Sequence, residues 1–308
     1  MKKFFSMILA LVLAAGVCVF AAAEGGLTVT APNGAPALAI ATFVAENREI
    51  YTPVAADAIA AAFAGQEADF IVAPINAGAK LFKAGKSTYR LAAVVTWGNL
   101  YIASQKEDLK AEDLNGADIV LFGENTINAS VVLYALEKNG IVPGNVSYLA
   151  GADKTKDHLL DDAEAIVVTA EPALTAAKFA AKKNEKTISA LSVNELLKQA
   201  TGEDGYAQAG LFVKAETAQA QPEAVKAWLV KAEEACGRCA SDTAAVAEAA
   251  VALEILPNAE VAEAAIPGCA IRYVAAPEAK ELIEKTVAID PAQFGGEAPA
   301  DDFYYAAE

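Results

Sequence analysis

The chain has 308 residues, with 40 acidic against 24 basic side chains, one histidine and four cysteines. A formal charge of −16 excludes nucleic acid and anionic membrane surfaces as partners, because phosphates repel such a surface. A lone His158 excludes metal sites built on two imidazoles and argues against a Ser-His-Asp triad.

At roughly 150 residues per domain the length suits about two lobes. Apolar side chains make up 55% of the chain and aromatics only 7%, which fits helices packed on sheets better than an all-β sandwich.

Met1 to Ala23 reads as an address. Lys2-Lys3 precede an apolar stretch from Phe4 to Phe20, and Ala21-Ala22-Ala23 leads into Glu24. A basic start, an apolar middle and a small-residue exit form a secretory signal peptide. A membrane anchor is the competing reading, since about 20 apolar residues can span a bilayer, but no basic stop-transfer flank follows. Val17 before Cys18 is not the small residue of a lipoprotein signal, and the residues after Cys18 are apolar. The expectation is a cleaved, freely diffusing exported protein starting near Glu24, periplasmic or secreted.

Beyond that segment, short β-like runs alternate with helical patterns, which implies βαβ units and mostly parallel sheets. Leu27 to Thr30 reads as a strand, Pro32-Asn33-Gly34 as a turn, and Pro36 to about Asn47 as a helix. Phe70 to Ala73 is a strand, followed by a helix from Asn76 to Lys83. Leu91 to Val95 and Leu100 to Ala103 are strands flanking Trp97-Gly98-Asn99. The alternation restarts at Asp118 to Phe122, with a helix running to Asn139-Gly140. Val146 to Leu149 is a strand, 153 to 162 a helix, Ala165 to Val168 a strand, and Glu171-Pro172 opens a helix through Lys183. Ala207 to Lys214 is a strand. From Pro222 the chain reads as helix, broken at Cys236 to Asp242, at Pro257 and at Ile266 to Ala275. Segments near Asn99 to Ser104 and Gly205 to Gly210 are placed to carry the chain between lobes. The first lobe is then discontinuous, 24–102 plus 206–308, with 103–205 inserted as the second.

Several of these segments carry a resemblance. They are Ala31-Pro32-Asn33-Gly34-Ala35-Pro36, the run Ala68 to Ala77 with Lys80-Leu81-Phe82 and Gly85, Leu109 to Gly116, Thr169-Ala170-Glu171-Pro172, and the end from Gly295-Gly296 to Asp301-Asp302-Phe303-Tyr304-Tyr305. In this order they resemble the substrate-binding proteins of ABC transporters with the type II periplasmic-binding fold, in the branch of sulfonate, nitrate and thiamine-precursor binders. The resemblance implies an α/β fold of two hinge-linked lobes that close on a small solute and present it to a membrane ABC permease. It departs in one respect. Only Arg48, Arg90, Arg238 and Arg272 are arginines, and none falls in the expected cleft segments, which weakens a strongly anionic ligand.

Ligands of open α/β sheets sit beyond the carboxyl ends of the strands, where helix N-termini point inward. Four turns meet that description. Gly34 and Ala35 offer backbone N–H groups, and glycine allows close approach. Asn76 offers an amide that donates and accepts. Gly123 to Thr126 brings Asn125 and Thr126, and the fourth turn brings Glu171. Asn76, Asn125 and Thr126 are equally the residue types that cap helices. Trp97 with Gly98 lies at the expected hinge, where an aromatic either stacks on a solute or fills the core; Tyr101 and Trp228 read as core. His158, in a Lys/Asp-rich helix, reads as a solvated surface residue.

Cys236-Gly237-Arg238-Cys239 lacks both the strand-turn-helix setting of a redox motif and a second pair for zinc. In an exported chain a disulfide from Cys269 to Cys236 or Cys239 is the expectation, with three reduced thiols as the outcome in an anaerobic source. No metal or cofactor is expected, and a monomer is. The function expected is a solute receptor without catalysis. The alternative is an enzyme on the same fold, a pyrimidine-synthesis or lyase relative, which would want a cytoplasmic chain and an acid/base or nucleophile set. A secreted adhesive protein would show repeats, and the sequence has none.

Overall fold

The computed structural model describes residues 26–307; the expected signal peptide, Met1 to Ala23, with Cys18, lies outside the described residues. In chain order the strands are β1 (Val29–Pro32), β2 (Tyr51–Val54), β3 (Phe70–Pro74), β4 (Tyr89–Thr96), β5 (Leu100–Ser104) and β6 (Ile119–Phe122). They continue as β7 (Val146–Leu149), β8 (Ile166–Ala170), β9 (Ser189–Ser192), β10 (Ala209–Lys214) and β11 (Ile271–Ala275). The helices of the first stretch are α1 (Ala35–Leu38), α2 (Ala41–Glu46), α3 (Ile59–Gly65) and α4 (Ile75–Lys83). The middle stretch carries α5 (Ile127–Lys138), α6 (Ala152–Asp161), α7 (Ala173–Lys183) and α8 (Val193–Thr201). The rest are α9 (Ala215–Ala220), α10 (Pro222–Ser241), α11 (Thr243–Ala252), α12 (Ala259–Ala265) and α13 (Ala276–Ile289).

Two sheets result. The larger has six strands in the order β11-β4-β10-β3-β1-β2, and the smaller has five in the order β7-β6-β8-β5-β9. The larger sheet therefore draws on the chain before Trp97 and after Gly205, and the smaller sheet on the stretch between. β1, β2 and β3 are parallel, while β10 runs antiparallel to both β3 and β4. β6 is parallel to β7 and β8, and β5 is antiparallel to β8 and β9. This is a mixed α/β architecture of helix-covered sheets.

The strands of the larger sheet are apolar on both faces because helices cover both. One face packs Val29, Phe70, Val72 and Leu211 against Leu38, Val44, Trp228, Ala232, Val246 and Ile266 of the helical tail and first helices. There Trp228 stacks on Phe70 with ring centroids 3.9 Å apart. On the other face Ile71, Leu91 and Phe212 meet Phe63, Ala79, Ile283, Phe294 and Phe303. That second core does not stop at the sheet. It runs through Trp97, Leu100 and Ile102 into Val193, Leu196 and Leu197 of the smaller-sheet half, so the hinge side of the molecule is one continuous apolar body. Each such fully buried side chain contributes about 1.5–3 kcal/mol relative to exposure.

Three expectations are corrected. The helix from Pro36 to Asn47 is two, divided at Ala39-Ile40, and both residues at the division are fully buried. The tail does not break at Cys236: α10 continues through it to Ser241. Val225, Trp228, Leu229, Ala232, Ala235, Cys236 and Cys239 form one buried stripe at helical spacing, and a side chain at Gly237 would meet open space. The expected disulfide is absent: Cys236, Cys239 and Cys269 are buried free thiols. Each donates to a carbonyl, Cys236 to Ala39 at 3.2 Å, Cys239 to Leu38 at 3.6 Å and Cys269 to Ala265 at 3.4 Å. Burial pushes all three up, Cys239 to about 12, so they behave as small core residues.

Candidate functional site

Strand direction decides where a ligand can approach. β1, β3 and β4 all end at one edge of the larger sheet, because β10 opposes both β3 and β4. In the smaller sheet β6, β7, β8 and β9 end at the edge where β5 begins. The chain passes between these two edges twice, through Trp97-Gly98-Asn99 and through residues 202–208, and the edges therefore face each other.

Amides and a tyrosine tie the crossings together. Gln208 Nε2 donates to Asn99 Oδ1 at 2.9 Å, and Tyr206 Oη donates to Asn128 Oδ1 at 2.8 Å. Asn194 Nδ2 donates to the carbonyls of Trp97 and Gly98 at 3.0 and 2.9 Å. Asn99 exchanges bonds with the backbone of Glu171: its Nδ2 donates to the Glu171 carbonyl at 2.6 Å, and the Glu171 N–H donates to its carbonyl at 3.0 Å. Asn99, Asn128, Asn194, Tyr206 and Gln208 were not singled out from sequence. The signal that could have found them is the clustering of amides in and beside the two crossing segments.

The eight residues singled out from sequence fall into three kinds. Gly34, Asn76 and Asn125 present unused groups. Gly34 caps α1 at φ 107 with open space where a side chain would stand, and Ala35 is buried behind it. Asn76 is half-buried in the first turn of α4, and its amide makes no hydrogen bond among the described residues. Asn125 is exposed at φ 58 in the turn between β6 and α5. Thr126 is committed to structure: it caps α5, donating to the Gly123 carbonyl at 2.6 Å and accepting from the Ala129 N–H at 3.5 Å.

Trp97, Gly98 and Glu171 are built into the join. The indole of Trp97 is buried, donates to the Arg272 carbonyl at 2.8 Å, and carries the Arg272 guanidinium 4.6 Å above its ring. Gly98, at φ 93, is covered by Asn194 and Tyr206. Glu171 is only 6% exposed; its carboxylate accepts from Thr175 Oγ1 at 2.8 Å and Thr175 N–H at 3.1 Å. Burial raises its pKa, and the two Thr175 bonds pull it partly back. A side chain built on Gly268 would stand 2.9 Å from Glu171 Cγ and 3.0 Å from Tyr101 Oη, so the halves press together here. Tyr101 donates to the Gly268 carbonyl across the same contact at 3.1 Å. Burial first, and the Glu171 charge second, push its phenol up to about 12. On the opposite flank Ser130 donates to Asp290 at 2.7 Å, and Lys285 pairs with Glu203 at 2.7 Å.

A cavity of about 250 Å³ lies on that flank, between Tyr134 and Leu197 on one side and Leu282 and Ile289 of α13 on the other. None of the eight residues lines it. The unused groups of Gly34, Asn76 and Asn125 lie on the facing edges instead, at the starts of α1 and α4 and in the turn before α5.

No protein-family model matches this chain, and no curated protein sequence matches it. Solved structures do. A crystal structure of an ABC transporter protein from Parabacteroides distasonis aligns with a TM-score of 0.78 at 20% identity, covering 92% of this chain and 99% of that one. The periplasmic aliphatic sulphonate binding protein SsuA of Escherichia coli aligns with a TM-score of 0.68 at 12% identity, covering 92% of each chain. A Candida albicans protein described as having the generic periplasmic binding protein fold aligns at 0.54 and 13% identity, covering 91% of this chain and 93% of that one. The two-sheet architecture is thus the periplasmic-binding-protein fold. Among the described residues no helix is long and apolar enough to cross a membrane.

Proposed function

We propose that this protein is an extracytoplasmic solute receptor that hands a small molecule to an ABC permease. The observation that carries the reading is the pair of facing strand-end edges, crossed twice by the chain, with unused polar groups on both. The lobes of the proposal are 24–102 plus 206–308 and 103–205, with β5 from Leu100 already in the smaller sheet. Solute binds between them, touching Gly34, Ala35 and Asn76 on one side and Asn125 and Thr126 on the other, with Trp97, Gly98 and Glu171 supporting the join. Affinity for the closed arrangement then shifts the hinge equilibrium toward it.

These residues include one carboxylate and no cation, which favours a neutral or cationic solute, heteroaromatic ones included. Sulphonate is the ligand named for the Escherichia coli neighbour; here the anion would depend on backbone N–H groups and the neutral amides of Asn76 and Asn125, with no cation to balance it. A cleaved signal peptide, a periplasmic or secreted location and a monomeric state belong to the same proposal. Catalysis does not. Native mass spectrometry of protein purified without refolding tests the reading: a carried small molecule that also raises the melting temperature without being turned over is the expected result. Turnover of that molecule would transfer the proposal to the enzyme alternative.

A further inference from the structure

Between the contacts of the proposed cleft stands a set of amides whose hydrogen bonds fix which way each one points. Gln208 is held by its backbone just before β10: its N–H donates to the Thr96 carbonyl and its carbonyl accepts from the Ile75 N–H, each at 3.1 Å. It therefore stands beside Asn76. Asn128 lies in the first turn of α5, two residues beyond Thr126. Both side chains are half-buried.

The orientation is set outward from a backbone carbonyl. The Glu171 carbonyl can only accept, so Asn99 must turn its Nδ2 toward it, at 2.6 Å. That leaves Asn99 Oδ1 for the other side, where Gln208 Nε2 donates to it at 2.9 Å. The same Nε2 faces Tyr206 Oη at 3.0 Å and Asn128 Oδ1 at 3.4 Å. Tyr206, whose oxygen accepts there, sends its own proton to Asn128 Oδ1 at 2.8 Å. Burial pushes its phenol far above the ordinary value, so that proton stays. Reversing any one of the three amides would set oxygen against oxygen or N–H against N–H.

Two atoms are left over: Gln208 Oε1, an acceptor, and Asn128 Nδ2, a donor. Neither makes a hydrogen bond among the described residues. The enclosed side-chain atoms there that lack a partner are Arg90 Nε, Asn194 Oδ1 and Tyr304 Oη, so the two left-over atoms are open to solvent. Neither residue lines the flank cavity, and the atoms open toward the facing sheet edges instead. They sit on carboxamides joined by one hydrogen bond, within reach of a single planar group.

We propose that Gln208 and Asn128 form a floor of the solute cleft that selects a neutral amide-like edge, a donor beside an acceptor, as in a carboxamide, lactam or ureide. The inference rests on the receptor reading above and names its substrate class. Such an edge gives its N–H to Gln208 Oε1 and accepts the Asn128 N–H at its carbonyl. A carboxylate or sulphonate sets an oxygen against Gln208 Oε1, and an amidinium sets an N–H against Asn128 Nδ2. Each of these leaves a polar group unsatisfied.

The test is calorimetric titration of the full chain, at constant ionic strength, with benzamide, benzoate and benzamidine, which share one body and differ only at this edge. Saturable one-to-one benzamide binding is expected, with benzoate and benzamidine at least about tenfold weaker. Asn128→Asp keeps the oxygen that Tyr206 and Gln208 bond to and exchanges only the free donor for an acceptor. It should weaken benzamide at least about tenfold and make benzamidine the preferred probe, a switch that a merely structural role does not produce. Benzoate or benzamidine matching benzamide on wild type, no saturable benzamide binding up to about 20 mM, or benzamide still preferred by the variant would each overturn the assignment. The cleft is tested apart from the class: a carried solute without an amide-like edge, weakened by Asn76→Ala, would overturn the class and leave the receptor reading standing.

Discussion

Replacing Gly98 by alanine probes how tightly the two halves are joined. Gly98 sits at φ 93, and a Cβ there would stand 2.6 Å from Tyr206 Cε1 and closer still to Asn194 Oδ1. Two costs therefore combine. Holding a non-glycine residue in this backbone region costs about 1–3 kcal/mol, and forcing a methyl into a filled space costs about 1–3 kcal/mol more. Gly202 is the internal control. It ends α8 at φ 82 with nothing within 4 Å of a built Cβ, so Gly202→Ala meets only the backbone cost, about 1–2 kcal/mol. Urea denaturation should place Gly98→Ala about 2–6 kcal/mol below wild type, and clearly below Gly202→Ala. Because Tyr206 and Asn194 are the groups displaced, the variant should also alter solute affinity if the crossing sets the closed geometry. Equal losses for the two glycine variants would refute the packing argument at the crossing.

Three further outcomes follow from the same structure. Asn76→Ala and Asn125→Ala should each cost about 1–3 kcal/mol of solute binding by leaving a ligand group unpaired, with the melting temperature unchanged for Asn76→Ala and slightly lowered for Asn125→Ala, whose alanine would stand at φ 58; wild-type affinity in both, by calorimetry with the carried solute, would remove them from the site. Glu171 has a folded pKa raised above the ordinary 4.5 by burial, so its contribution to stability is fully present below that value and is lost as pH rises through the folded value. The stability of wild type relative to Glu171→Gln should therefore decline with rising pH, measured by denaturation between about pH 4 and 8, and a pH-independent difference would contradict it. The three described cysteines should react with a thiol reagent only after unfolding, and intact mass should show them reduced; a disulfide among them would reverse that reading.

Much of the fold was legible because its strands are continuous apolar runs between turn residues. Phe70 to Ala73 was read almost to the residue for that reason, and Val146 to Leu149, an alternating Val-Ser-Tyr-Leu, from its β-favouring side chains. β2 was missed because Pro53 interrupts Tyr51–Val54, and proline belongs only on a sheet edge, which is where this strand lies. β11 was hidden in a stretch read as a break because Arg272 and half-buried residues occupy it. β9 has no fully buried residue and so gave no apolar signal. α10 runs on past Cys236 because Gly237 faces open space, and a glycine on the solvent side of a long helix costs only about 1 kcal/mol.

The candidate site was legible as turns and illegible as contacts. Strand-to-helix spacing located Gly34, Asn76 and the Gly123 to Thr126 turn. No local pattern tells that Trp97 donates to a carbonyl 175 residues later, or that Tyr101 meets Gly268. Such pairings depend on how the two sheets meet, which only the assembled chain decides. The amides of Asn99, Asn194 and Gln208 illustrate the same limit, since an amide in a loop reads as a turn former until its partners across the crossing are known.

The most direct test of the account is a crystal structure of the protein with its carried solute. The solute should lie between the two sheet edges, within hydrogen-bond distance of Asn76 on one side and of the Asn125-Thr126 turn on the other. A solute seated instead in the cavity between Tyr134, Leu197 and Leu282, with Asn76 and Asn125 facing water, would contradict the account.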